Sequence, residues 1–162
     1  MNKNFKILTG PVQSGKSAAL FNWCLSKKNI AGFLNIDKRG LRYLYDISKQ
    51  DFHAFQIAER ANVKDIAVGK YIFAWQGFEN AKKIVDDTLP INLDWIIIDE
   101  IGKLEMHDQG FEPELSNWIK TWSAKQQKTI LVVRDSLLES VILKYHLQGC
   151  EILNINQIYE LG

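Results

Sequence analysis

Residues Gly10 to Ser17 read G-P-V-Q-S-G-K-S and match the pattern G-x-x-x-x-G-K-[ST] of a phosphate-binding loop. An apolar run ending at Thr9 precedes the pattern, and apolar residues at helical spacing predict a helix from Lys16 to about Ser26 at its end. Glycines at both ends let such a loop wrap closely around an anion, so that backbone N–H groups and the following helix N-terminus face it. The chain is therefore restricted to folds in which a strand runs into this loop and then into a helix.

The loop predicts a set of nucleotide contacts. Lys16 would reach the β- and γ-phosphates, and we name it as a catalytic residue. Ser17 would offer its hydroxyl to Mg²⁺, which takes oxygen ligands from protein and phosphate together. The simpler interpretation is a glycine-rich turn whose lysine is only solvated. The residues predicted to bind nucleotide are Gly10, Pro11, Val12, Gln13, Ser14, Gly15, Lys16, Ser17 and Ala18.

Strand-like and helix-like segments alternate along the chain, which predicts an α/β fold with a doubly wound, mostly parallel sheet. Residues 94–100 form the most strand-like run, with a continuous apolar centre typical of a strand buried on both faces. Short β-prone runs between residues 30 and 75, the last of them from Ile66 to Trp75, predict an inserted antiparallel meander. Since the chain has no repeat and no linker-like stretch, we expect one domain over residues 1–162.

Two acids close the predicted strand over 94–100, at Asp99 and Glu100. In proteins with a phosphate-binding loop, an acid in this place holds the shell of Mg²⁺, which neutralises charge on the β- and γ-phosphates. Asp99 is the predicted metal residue, together with Ser17. Glu100 would orient or deprotonate the attacking water. The alternative is that both acids are exposed residues at a strand end.

Composition argues against several classes of partner. The formal net charge is +1 and no basic stripe with interleaved aromatics is present, so we do not expect nucleic-acid binding. No apolar run is long enough to cross a membrane, and the N-terminal residues lack the apolar core of a signal peptide. Cys24 and Cys150 have no neighbours at metal-ligand spacing and are expected to be reduced thiols. We therefore expect a cytoplasmic monomer, with a protein partner left open.

The heptapeptide D-E-I-G-K-L-E at residues 99–105 resembles the signature D-E-I-G-K-M-E of the THEP-type nucleoside-triphosphatases, also called the cancer-related NTPase family. Other motifs are similar in the same order. They are the phosphate-binding loop, Gly32-Phe33, Arg39-Gly40, Val68-Gly69-Lys70-Tyr71 and Phe78-Glu79.

This resemblance implies a RecA-like three-layer sandwich and slow, Mg²⁺-dependent hydrolysis of nucleoside triphosphates such as ATP or GTP, with broad base tolerance. By position it assigns Asp99 to the metal shell and Glu100 to the general base. It also covers Lys103 and Glu105, whose roles the spacing does not predict.

The chain departs from the family pattern at several positions. Gln13 stands where the family usually has glycine, and Ala18 where it has a second hydroxyl residue. Arg134 follows a predicted central strand where the family has histidine, and Asn156-Gln157 replaces an Asn-Arg pair. An arginine beside the γ-phosphate favours phosphoryl transfer, and ligands bind at this edge of α/β sheets, so Arg134 is the third predicted catalytic residue. A solvated strand end is the competing interpretation.

Two other functions remain open from the sequence. The first is a small-molecule or nucleotide kinase, in which the basic segment Lys38 to Arg42 would clamp an acceptor phosphate. Within that segment, neither Arg39 nor Arg42 can be assigned to a phosphate. The second is a nucleotide-binding switch with little intrinsic turnover, which the departures at Gln13 and Ala18 favour.

Overall fold

A computed structural model describes residues 2–162. Its strands are β1 (Phe5–Gly10), β2 (Ile30–Lys38), β3 (Leu41–Asp46), β4 (Asp51–Ala54), β5 (Gln56–Ile57), β6 (Ile66–Val68), β7 (Tyr71–Phe73), β8 (Trp95–Ile101), β9 (Thr129–Arg134) and β10 (Glu151–Leu153). Its α-helices are α1 (Lys16–Leu25), α2 (Trp75–Asp86), α3 (Lys103–Met106), α4 (Glu114–Lys125) and α5 (Leu138–Lys144). Short 3-10 helices cover Asp135–Leu137 and Ile155–Glu160.

A seven-stranded sheet in the order β10-β1-β9-β8-β2-β3-β4 forms the centre of the fold. Strands β10, β1, β9, β8 and β2 pair in parallel, whereas β3 and β4 continue the sheet antiparallel at one edge. Parallel strands end at the same edge of a sheet, so the residues that follow β1, β8 and β9 lie near one another. The predicted, mostly parallel α/β sheet is confirmed.

Both faces of the sheet are covered. Along β8, Ile96 and Ile98 belong to one buried cluster and Ile97 to another, as the two-residue period of a strand requires. The first cluster includes side chains of α2, α4 and α5, and the second includes those of α1 and the final 3-10 helix. The result is the expected three-layer arrangement. Among the described residues, no helix combines the length and the apolar composition that crossing a membrane demands.

The meander predicted over residues 30–75 is divided between two sheets. Strand β2 is parallel to β8, and only β3 and β4 turn back beside it. The remaining strands form a separate three-stranded antiparallel sheet in the order β5-β7-β6. The last strand-like run was predicted to reach Trp75, which instead begins α2. A carboxylate oxygen of Asp65 accepts a hydrogen bond from the Trp75 N–H at 2.9 Å, which stabilises that helix start.

Gly32 of β2 is paired with Ile97 of β8 and packs against its backbone. Its φ is +114°, and a Cβ built on it would lie 2.0 Å from the carbonyl oxygen of Ile97. We expect Gly32→Ala to lower the free energy of unfolding by about 3 kcal/mol, because it adds both backbone strain and overlap with a fixed strand. Gly40→Ala is the matched control, since Gly40 has a φ of +84° but open space around it. Urea unfolding followed by circular dichroism measures both, and equal losses would contradict the overlap argument.

Candidate functional site

A cavity of about 390 Å³ opens at the edge of the sheet where β1, β8 and β9 end. It brings together most of the residues predicted from the sequence. Those that line it are Val12, Gln13, Ser14, Gly15, Lys16, Ser17, Ala18, Asp99, Glu100 and Arg134. Gly10 and Pro11 complete the loop through their backbone carbonyls, which face Lys16.

The loop leads directly into α1. Gly15 precedes the helix with a φ of +87°, and Gln13 has a φ of +59°, both in the left-handed region. Glycine adopts that region without strain, whereas Gln13 does so at a cost. No side chain caps the N-terminus of α1, and its first turn carries no acidic residue. The first N–H groups of this ten-residue helix therefore form a site suited to an anion.

Lys16 lies across the inside of the loop with its side chain buried. Its Nζ donates hydrogen bonds to the carbonyl oxygens of Gly10 at 3.1 Å and Pro11 at 2.8 Å, and to Ser14 Oγ at 3.4 Å. All three acceptors are neutral, so the positive charge of Lys16 is not matched by a carboxylate at this point. An ammonium group held in this way suits a phosphate oxygen.

Ser17 and Asp99 join the loop to β8. Ser17 Oγ donates to Asp99 Oδ2 at 2.6 Å, and the backbone N–H of Asn35 donates to the same oxygen at 3.2 Å. Asp99 is 1% exposed, and burial, aided by the negative charge of Glu100, raises its pKa to about 7.

The side chains of Ser17 and Asp99 offer oxygen atoms that suit a hard divalent cation. Asp99 Oδ1 is buried and has no hydrogen-bond partner among residues 2–162. An unsatisfied carboxylate oxygen beside a serine hydroxyl is the kind of oxygen donor set that Mg²⁺ takes, with water and phosphate completing the shell.

Glu100 and Arg134, which both line the cavity, form an ion pair. The pairing of β8 with β9 runs from Asp99–Val132 to Ile101–Val133, which leaves Glu100 as an extra residue in a bulge. Glu100 Oε1 lies 3.4 Å from Arg134 Nη2, and both side chains are largely buried. The bulge thus places the Glu100 carboxylate in the wall of the cavity.

Four further residues line the cavity without having been assigned from the sequence: Asn35, Ile36, Asp37 and Arg42. Asn35 was missed, although it is a polar residue inside the otherwise apolar run that begins β2. Arg42 was left undecided, and its guanidinium lies 5.9 Å from the ring centre of Tyr71. Arg39 occupies the exposed β2–β3 turn and lines neither this cavity nor the one beside it.

The acid at the end of the D-E-I-G-K-L-E motif has a structural explanation. The carboxylate of Glu105 accepts hydrogen bonds from the backbone N–H groups of Gly102 at 3.0 Å and Phe111 at 3.4 Å. It thereby ties the start of α3 to the segment that leads into α4. Lys103 is exposed at the first residue of α3.

A glycine-rich loop between strand and helix, a lysine inside it and an acid on a neighbouring parallel strand together define a P-loop nucleotide-binding protein. A sequence model of the NTPase family matches residues 6–158, and the chain belongs to that family. A search among curated proteins found no matching sequence. The crystal structure of THEP1 from the hyperthermophile Aquifex aeolicus is similar in fold, with a TM-score of 0.72 and 19% sequence identity over 93% of this chain and 89% of that chain. The family predicted from D-E-I-G-K-L-E is confirmed.

Proposed function

We propose that this protein hydrolyses nucleoside triphosphates, ATP and GTP among them, to the diphosphate and phosphate with Mg²⁺ and broad base tolerance. One observation carries the proposal: Lys16, the bonded pair Ser17 and Asp99, and Glu100 line a single cavity. Membership of the NTPase family supports the same reaction. We also propose that residues 1–162 act as one domain, because side chains from four neighbouring strands and the loop meet in this cavity.

Phosphate binding follows from the loop. The N–H groups at the start of α1 would face the β-phosphate, and Lys16 would turn its ammonium from neutral carbonyls to phosphate oxygens. Ser17 and Asp99 would hold Mg²⁺, which when bound neutralises charge on the β- and γ-phosphates.

Glu100 is proposed as the general base. In the bulge of β8 its carboxylate lines the cavity, where it would take a proton from water as the water oxygen bonds to the γ-phosphorus. The bond from that phosphorus to the bridging oxygen breaks, and the nucleoside diphosphate leaves. Arg134 orients the carboxylate and adds positive charge beside the transferred group.

Phosphate release from purified protein tests the proposal. ATP, GTP, CTP and UTP are each incubated with Mg²⁺, and parallel samples contain excess EDTA. We expect metal-dependent release from several triphosphates, because the loop contacts phosphate and not the base, and we expect EDTA to abolish it. Nucleotide binding without release would overturn the proposal in favour of a switch or a strict kinase.

A further inference from the structure

A second cavity, of about 280 Å³, lies directly beside the first. Asn35, Arg42, Glu100 and Arg134 line both, whereas no residue of the loop from 10 to 18 lines the second. The second cavity therefore adjoins the proposed position of the γ-phosphate, and an occupant would meet it at Glu100. In the proposed binding mode the γ-phosphate is the end of the triphosphate that meets Glu100, so the occupant of the second cavity would be a separate molecule.

The walls of this cavity are aromatic. Phe55 lies 4.9 Å between ring centres from both Phe73 and Phe78, and Phe78 lies 5.4 Å from Phe111. Tyr71, from the same small sheet as Phe73, completes the set. The four phenylalanines are buried against one another, whereas the half-buried ring of Tyr71 borders the cavity, where it would stack on a planar ring of a ligand. We call this cavity the aromatic pocket.

The rim of the aromatic pocket is positively charged. Arg42, Lys70, Lys103 and Arg134 line it, against the carboxylates of Glu100 and Glu105. Glu105 is 3% exposed, its oxygens already accept backbone N–H groups, and burial raises its pKa to about 7. An anionic ligand is therefore favoured over a neutral or cationic one.

We propose that the aromatic pocket binds a second small molecule, an anion of the nucleoside-monophosphate type with an aromatic base and a sugar hydroxyl, and directs that hydroxyl group to Glu100 as an acceptor of the γ-phosphoryl group. The volume of about 280 Å³ lies just below the usual range of ligand pockets, so the occupant would be no larger than a single nucleotide. The proposal rests on the hydrolysis site described above, because the same Glu100 serves both.

The transfer is balanced without a further reactant. The acceptor hydroxyl oxygen forms a bond to the γ-phosphorus while the bond from that phosphorus to the bridging oxygen breaks. The hydroxyl proton passes to the Glu100 carboxylate, and the nucleoside diphosphate leaves with the electron pair. Water and the acceptor hydroxyl group would thus compete for the same position beside Glu100.

The test uses the four ribonucleosides and their 3′- and 5′-monophosphates as probes. Binding is measured by saturation-transfer NMR and calorimetry, and transfer by the appearance of label from γ-labelled ATP in the probe. We expect monophosphates to bind more tightly than nucleosides, and at least one with a free hydroxyl to acquire label. Tyr71→Ala should weaken probe binding by about tenfold, since it removes a stacking ring, while phosphate release in buffer alone stays unchanged.

Lys70→Ala tests the contribution of positive charge in the aromatic pocket. It should reduce the difference in binding affinity between monophosphates and nucleosides. Tyr159→Ala, at an exposed tyrosine away from both cavities, is the matched control and should leave every reading unchanged. If the wild-type protein hydrolysed triphosphates but bound none of the probes, the proposed ligand of the aromatic pocket would be rejected and the proposed hydrolysis would stand. Binding without label transfer would overturn the acceptor role. Failure of both hydrolysis and nucleotide binding in the wild-type protein would instead reject the proposed function.

Discussion

Lys16→Ala should lower nucleotide affinity and kcat/KM together, the latter by about 1,000-fold, because one charged donor to the phosphates is lost from a buried position. The Nζ of Lys16 lies within the loop and bonds the carbonyl oxygens of Gly10 and Pro11. No other lysine lines this cavity among residues 2–162, and its two arginines, Arg42 and Arg134, belong to β3 and β9 and not to the loop. Calorimetry with a slowly hydrolysed ATP analogue gives the affinity, and phosphate release gives kcat/KM.

Lys28→Ala is the control for this result. It removes the same charge from an exposed position just beyond α1, so electrostatic effects at long range are matched. We expect nearly wild-type values for it. Circular dichroism establishes that both variants are folded. Unchanged affinity in Lys16→Ala, or an equal loss in Lys28→Ala, would refute the assignment of Lys16.

Glu100→Gln separates binding from chemistry. The amide keeps the shape of the side chain but cannot accept the proton, so we expect kcat to fall by about 100- to 10,000-fold. Affinity for the triphosphate should change by only about twofold, because the loop and the Ser17–Asp99 pair are untouched. Phosphate release under saturating nucleotide gives kcat, and calorimetry gives affinity.

Glu160→Gln, at an exposed residue outside both cavities, provides the comparison for Glu100→Gln. Glu160→Gln should retain the wild-type kcat and the wild-type affinity for the triphosphate. If Glu100→Gln kept full turnover, the carboxylate would have no role as a base, and another group would have to activate the water.

Much of this fold follows from short-range patterns. The spacing of apolar residues predicts a helix from Lys16 to about Ser26, and α1 spans Lys16–Leu25. The apolar centre of 94–100 predicts a doubly buried strand, which β8 is. Such features depend on neighbours in sequence, and the loop motif is contiguous, so composition and periodicity suffice to predict them.

Other features depend on pairing across the chain. A short apolar run such as Ile30 to Leu34 is equally compatible with parallel and antiparallel neighbours, so the parallel pairing of β2 with β8 was not predicted. Asn35 reaches Asp99 only because those strands are adjacent. The Glu100–Arg134 pair likewise requires β9 to lie beside β8. Strand order, which no local pattern specifies, decides these contacts.

The wall shared by the two cavities has a thermodynamic consequence. Asn35, Arg42, Glu100 and Arg134 face both sides, so a molecule in one cavity would change the free energy of binding in the other through the same atoms. Such coupling is reciprocal. If bound triphosphate changes the affinity of the aromatic pocket for its ligand by some factor, the bound ligand changes the affinity for the triphosphate by the same factor. A substitution at one of these four positions that changes the coupling factor would therefore change it equally for both ligands.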